Sequence, residues 1–422
     1  MELSPTSAKK GTSDSNVLTN GDLLQKILLR LGCPSSLVSA ALTSKLWLHG
    51  ASKQAGYPPG LLGIYVSSAG ITSSEFIPLL QPDASSPEAS AVLADFGFGN
   101  LPTPNVWDCR NGVVLFEFGG NGETFHHAGL AVRSPLLYPD MDKPTVLPQA
   151  PQLLTFSEYP HDMLLPADHG DGTLCYRVDV RTSESKNMVT VVVCVLRSDS
   201  WAVHCIATGS LAKSPIQILP TTVLAGGKIY MATQAGYILG LDLGKEEFFI
   251  VDLPKGVELD QYPGNLVHCR GDDYVLYLFH VDSENRLNVW LRKMKDDHEH
   301  DDASTGSGSA NNGWVLKDSI SVRETCGHLM EQEGWETIGD GDEDAAVVTV
   351  VGAGDNAEFV FLELGITGII VCMHLKTREV KKVYQREPDD DYLISVPPFM
   401  FVRPPILPVQ DAHEGEATPH QE

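Results

Sequence analysis

From Leu61 onward the sequence is a procession of short apolar runs: LLGIYVSS, GVVLFEFGG, VTVVVCVL, GKIYMAT, YILGLDL, FFIVDL, DYVLYLFHV, LNVWLRKM, AVVTVVGAG, AEFVFLEL and GIIVCMHL. Each is rich in β-branched or aromatic residues and is bounded by Gly, Pro, Asn or Asp. No such run carries the i, i+3, i+4 spacing of a helix over enough residues to form one. Many short strands separated by turn signals describe a large all-β domain, either a sandwich, a barrel or a propeller.

A weak repeat favours the propeller. WDCRNGVVLFEF from Trp107, LAGGKIYMAT from Leu224, HCRGDDYVLYLF from His268 and VGAGDNAEFVFLEL from Val351 each read as a polar turn followed by an apolar strand. The middle two are spaced by roughly 45 residues, the length of one four-stranded blade. The unit from Leu224 continues as strand, turn, strand, turn, strand, through KIYMAT, YILGLDL and EEFFIVDLP. A single sandwich would have to absorb about 350 residues, well beyond the usual size of a domain. KMKDDHEHDDASTGSGSANNG, residues 293–313, has no apolar face and reads as a flexible loop between two strands of one blade.

Charge and cysteine usage narrow the function. The net charge of −25 argues against nucleic acid and against an anionic membrane surface, because both need a basic field. The eight cysteines are scattered without a CxxC pair, which excludes zinc-finger spacing and points to reduced, mostly buried thiols. The first residues, MELSPTSAKKGTSDSN, lack the apolar centre of a signal peptide, and no apolar run could span a bilayer. The expected location is the cytoplasm or nucleus.

Ahead of the strands stands one helical stretch. Thr19 can cap a helix, with Asp22 three residues on. Leu23, Leu24, Ile27, Leu28 and Leu31 then share one stripe at helical spacing. Gly32 and Pro34 end that helix, a second presents Leu37, Ala40 and Ala41, and a third short piece carries Leu46, Trp47 and Leu48. Such a unit is too small to bury a core of its own, so its apolar faces need the β domain or a partner. Between Asn16 and Gly60 the only acid is Asp22, against Lys26, Arg30, Lys45 and Lys53. That local positive balance suits an acidic partner.

The stretch from Leu18 through Trp47 resembles the F-box. PPGLLGIYV from Pro58, WDCRNG from Trp107 and HLKTREVKKVY from His374 look like plant, grass-type F-box proteins with a C-terminal β-propeller-like region. Thr19 stands where the family usually has Pro, and HGASKQAGY replaces a longer helical stretch. Polar composition marks a disordered leader over 1–15 and a disordered tail over 410–422. The resemblance implies an F-box over 16–56 and a kelch-like β-propeller over 57–409. It implies the substrate-recognition subunit of an SCF-type cullin-RING ubiquitin ligase. The F-box would hold a Skp-type adaptor, and through it cullin and RING subunits, while the propeller would hold the target protein. The residues expected on the adaptor surface or directly behind it are Leu18, Leu23, Leu24, Ile27, Leu28, Leu31, Pro34 and Leu37, with Trp47 steadying the unit.

Other constellations read as structure rather than chemistry. His298 and His300 lie in a charged loop whose ordering would cost more than a metal returns. His126 and His127 are adjacent, so on a strand they face opposite ways. GGNG lacks the GK[ST] of a phosphate loop, and neither DGDED (340–344) nor PDDDY (388–392) has EF-hand spacing. No nucleophile elbow or HExxH is present, so neither catalytic residues nor a cofactor are expected. Two other classes stay open on the residues: a propeller interaction module whose F-box is only a helical lid, and a propeller hydrolase or lectin with a polar cluster in its central channel.

Overall fold

The computed structural model describes residues 61–68, 74–79, 98, 104–110, 112–118, 129–134, 144–149, 159–166, 173–183, 187–197, 200–212, 218–257, 265–271, 275–294, 313–332, 348–354, 357–386 and 393–400. They form six four-stranded antiparallel sheets arranged as the blades of a propeller. Strands β1 (Leu61–Ser68) and β2 (Glu75–Pro78) belong to the last blade. Blade 1 is β3 (Asn105–Arg110), β4 (Val113–Phe118), β5 (Gly129–Arg133) and β6 (Thr145–Val146). Blade 2 is β7 (Tyr159–Pro166), β8 (Thr173–Ser183), β9 (Met188–Arg197) and β10 (Ser200–Ser210). Blade 3 is β11 (Ile218–Ala225), β12 (Lys228–Thr233), β13 (Tyr237–Asp242) and β14 (Glu247–Asp252). Blade 4 is β15 (Leu266–Gly271), β16 (Val275–Val281), β17 (Arg286–Lys293) and β18 (Trp314–Ser321). Blade 5 is β19 (Val348–Ala353), β20 (Phe359–Leu364), β21 (Ile369–His374) and β22 (Val380–Gln385). Blade 6 is completed by β23 (Leu393–Ser395) and β24 (Pro398–Met400), which both pair with β1.

That last sheet closes the ring by joining the two ends of the domain. β1 pairs with β2 on one side and with the C-terminal strands on the other. The Tyr65 N–H donates to the Pro397 carbonyl at 3.1 Å. Ser67 and Ser74 hydroxyls lie 2.5 Å apart, and Ser74 Oγ accepts the Val106 N–H at 2.7 Å, tying blade 6 to blade 1.

The packing explains why the central strands are apolar without alternation. Each blade is covered on both faces, so both side-chain sets of its middle strands are buried. In β16, Val275, Tyr277, Phe279 and Val281 join a core shared with blade 5, whereas Leu276 and Leu278 join one shared with blade 3. The same division in β4 sends Val114, Phe116 and Phe118 towards Tyr65 of blade 6, and Leu115 towards Cys175 of blade 2. Six such clusters, one for each pair of neighbouring blades, make up the core among the described residues.

Two features differ from the sequence reading. WDCR, HCRG, VGA and the Leu224-Ala225 pair, read as parts of polar turns, belong to inner strands, so the repeat is the inner hairpin of blades 1, 3, 4 and 5. A polar strand is possible there because the inner strand borders the central channel. Second, a helix, α1 (Val322–Gln332), follows β18. Ser321 caps it, its Oγ accepting the Glu324 N–H at 3.2 Å, and Val322, Cys326 and Leu329 pack on the core between blades 4 and 5. The strands flanking 294–313 do pair within one blade, Arg292 opposite Trp314. The helical stretch at 16–56 lies outside the described residues.

Candidate protein-interaction surface

A propeller offers two kinds of surface that side chains can make specific: the central channel and the rim formed by the outermost strands. In the channel region the titratable side chains on described inner strands include Asp108, Arg110, His268 and Arg270. Asp108 Oδ2 lies 3.5 Å from Arg110 Nε, and its Oδ1 accepts the Cys109 N–H at 2.8 Å. His268 is buried, with Nε2 3.2 Å from the Tyr230 carbonyl. Burial pushes its imidazole down to about 4; the bond to Tyr230 opposes this and the Arg110 charge assists it. Arg110 sits on the inner strand of blade 1, opposite blade 4 in the six-membered ring. His268 is therefore neutral at physiological pH, a buried spacer in the channel wall.

Of the described cysteines, Cys175, Cys194, Cys205, Cys269 and Cys326 are buried, and Cys109 and Cys372 are half-buried. Burial drives the Cys326 and Cys372 thiols up to about 12 and raises Cys109, Cys194 and Cys205, far from the thiolate character that nucleophiles require. All described cysteines are free thiols; Cys33 lies outside the described residues. Among the described residues, no group of three or more His, Cys, Asp or Glu is placed to hold a metal ion, and no described helix is long and apolar enough to cross a membrane.

Among the described residues most exposed large apolar side chains lie on the rim, Trp107 on the inner strand β3 being the exception. Val146 on β6, Val203 and Ile206 on β10, Ile250 on β14, and Val315 and Leu316 on β18 are all exposed, the last three strands being the outermost of consecutive blades 2, 3 and 4. On β10 the extra residue His204 interrupts the pairing with β9 between Val203 and Cys205. On β18 the extra residue is Lys317, which turns back onto Tyr277, its Nζ 5.1 Å from the ring centroid.

Charge differs from blade to blade. Around β22 lie Lys376, Arg378, Lys381, Lys382 and Arg386, with Glu379 the only acid from His374 to Arg386. Arg378 bonds to Asp318 of blade 4, and Arg386 Nε lies 3.1 Å from Glu363 Oε1. Around β14 the balance is acidic, with Asp242, Glu246, Glu247 and Asp252 against Lys245 and Lys255. An uninterrupted sheet edge can take up an extended polypeptide through backbone hydrogen bonds, with flanking charges selecting among segments.

Every residue expected to hold the adaptor (Leu18, Leu23, Leu24, Ile27, Leu28, Leu31, Pro34, Leu37 and Trp47) lies outside the described residues, as do His126, His127, His298, His300, DGDED and PDDDY. The rim strands β10, β18 and β22 were not anticipated as strands with sites. Their signal was present but weak: SWAVHCIATGS, WVLKDSIS and VKKVYQ mix apolar and polar residues because one edge faces solvent.

A family model described as F-box protein AT5G49610-like, beta-propeller, matches residues 105–407. The chain belongs to that family. The match begins at the inner strand of blade 1 and takes in blades 1 to 5 and both C-terminal strands of blade 6. No curated protein matches. Similar solved structures include a putative 6-phosphogluconolactonase from Bacteroides fragilis, with 10% identity, 65% of this chain and 67% of that one covered, and a TM-score of 0.34. The GH93 α-L-arabinofuranosidase of Fusarium graminearum has 11% identity, 69% and 82% coverage and a TM-score of 0.34. The WD40 domain of SCAP from fission yeast has 8% identity, 66% and 72% coverage and a TM-score of 0.29.

Proposed function

We propose that this F-box-family propeller is the substrate-recognition subunit of an SCF-type cullin-RING ubiquitin ligase. The observation that carries the reading is the family match over 105–407, joined to the leucine stripe and Pro34 that precede it in sequence. In this reading Leu18, Leu23, Leu24, Ile27, Leu28, Leu31, Pro34, Leu37 and Trp47 form or support the surface for a Skp-type adaptor, which brings the cullin and RING subunits. The propeller binds the protein to be modified. Bond formation belongs to the RING subunit and its charged conjugating enzyme, and this chain supplies effective concentration by holding a substrate lysine near the thioester. It acts without a cofactor, in the cytoplasm or nucleus.

The test is co-purification. The full chain should bring down a Skp-type adaptor, and Leu28→Asp with Leu31→Asp should abolish that while the far-ultraviolet spectrum of the β domain is unchanged. Adaptor retained by the double variant would overturn the assignment.

A further inference from the structure

The six outer strands differ in how well their free edges are protected. β2 has four residues and ends at Pro78, and β6 has two. β10, β18 and β22 are each interrupted by an unpaired residue, His204, Lys317 and Val383 respectively. Bulges, proline and short length are the devices by which sheets discourage another strand from adding to them. β14 has none of these. It runs six residues without a break, in register with β13 from Glu247 opposite Asp242 to Asp252 opposite Tyr237. Ile250 at its centre is 39% exposed, and Glu247 and Asp252 at its ends are exposed acids.

We propose that β14 is a docking edge for an extended segment of a partner protein that carries basic residues on either side of an apolar centre. This rests on the reading of the propeller as the target-binding part of the chain. The segment adds as a fifth strand to blade 3, its backbone pairing with the edge of β14 short of the Asp252 carbonyl, which the Trp314 indole holds. Its apolar centre covers Ile250, and its basic flanks lie beside Glu246 and Glu247 at one end and Asp252 at the other. A second copy of this chain is the poorer occupant. Symmetric antiparallel pairing of two β14 strands centred on Phe249 sets Glu246 against Asp252 twice, and in any register it brings two acidic edges together. The net charge of −25 adds a long-range preference for a basic partner.

The probe is a fluorescein-labelled peptide, Lys-Lys-Val-Thr-Val-Thr-Lys-Lys, titrated with the full chain and read by anisotropy. Basic residues at both ends allow either strand direction. The peptide should bind, its Glu-flanked counterpart should bind about tenfold more weakly or worse, and N-methylation of alternate backbone amides should abolish binding. The N-methyl comparison uses the unaltered protein, so it holds even if a variant misfolds. Glu247→Lys with Asp252→Lys should weaken the peptide about tenfold, while Lys381→Glu with Lys382→Glu on β22 should not. Binding that survives N-methylation, or that ignores the β14 charge reversal, overturns the proposal. So does sedimentation showing a dimer that Ile250→Lys dissolves. Adaptor co-purification from the same preparations separates the two readings: adaptor bound without peptide rejects the β14 edge alone, and peptide bound without adaptor rejects the ligase role alone.

Discussion

The indole of Trp314 donates a 2.9 Å hydrogen bond to the backbone carbonyl of Asp252, 62 positions earlier in the chain. Trp314 opens the outer strand of blade 4, and Asp252 closes the outer strand of blade 3. The same relationship recurs between Trp201 of β10 and the Pro148 carbonyl just beyond β6, at 2.8 Å. In both, a buried or half-buried indole contributes apolar area and satisfies its one donor on the preceding blade. Neighbouring blades are thereby clasped at the rim, far from the inner strands that hold them at the channel.

Trp314→Phe keeps most of the ring and loses only the bond, so it should cost about 1 kcal/mol. Trp314→Ala also opens a cavity in a side chain that is 1% exposed, and should cost about 3–5 kcal/mol. Urea unfolding of both variants checks the two magnitudes. Equal losses would mean that the hydrogen bond, rather than the packing, dominates.

Ring closure makes its own prediction. Ser74 Oγ serves both Ser67 and the buried Val106 N–H. Ser74→Ala leaves that N–H unsatisfied, at a cost of about 1–3 kcal/mol. The loss should fall first on blade 6, because that sheet alone is built from both ends of the domain. Hydrogen exchange should accelerate in β1 and β24 before it does in β13 or β16.

His268 gives a pH dependence whose sign is fixed. Its folded pKa of about 4 lies below the unfolded value of 6.5, so between these values the unfolded chain binds the proton and the folded one does not. Stability should fall as pH drops through that window, by at most about 3 kcal/mol from this residue. His268→Gln, which can keep a donor towards the Tyr230 carbonyl, should flatten the difference in melting temperature between pH 7 and pH 5. An unchanged difference would show that His268 takes up its proton in the folded state.

What the sequence revealed, and what it hid, follows from burial. All eleven apolar runs became strands, chiefly the middle ones of blades, because both of their faces are covered by neighbours. Several strands that escaped notice border solvent or the channel: β7 with its two prolines, β15 with His268 and Arg270, β22 with Lys381 and Lys382. β5 and β8 are interior strands whose apolar runs are interrupted by Arg133 and by Arg177, Asp179 and Arg181. Helix α1 was legible, since Ser321 to Glu324 has the capping-box form and Val322, Cys326 and Leu329 fall at helical spacing. The surrounding strand pattern masked it. The family was readable from WDCRNG and HLKTREVKKVY, but the rim was not. Whether an edge is bulged depends on a register set by partner strands, which no single run contains.

Blade 3 yields the last prediction. Gly240 of β13 pairs with Phe249 of β14, and the phenyl ring lies across the space a side chain would fill: a Cβ at Gly240 would stand 2.1 Å from Cζ. The glycine lets the ring of an outer-strand residue fold inward onto its own sheet, where it also meets Tyr230 at 5.7 Å between centroids. Gly240→Ala must therefore displace Phe249 from a packed position, costing about 1–3 kcal/mol. Adding Phe249→Leu removes the clash, so the double variant should be more stable than the sum of the two single losses predicts. A double-mutant cycle by thermal unfolding measures this directly, and strict additivity would mean that the ring and the glycine do not depend on each other.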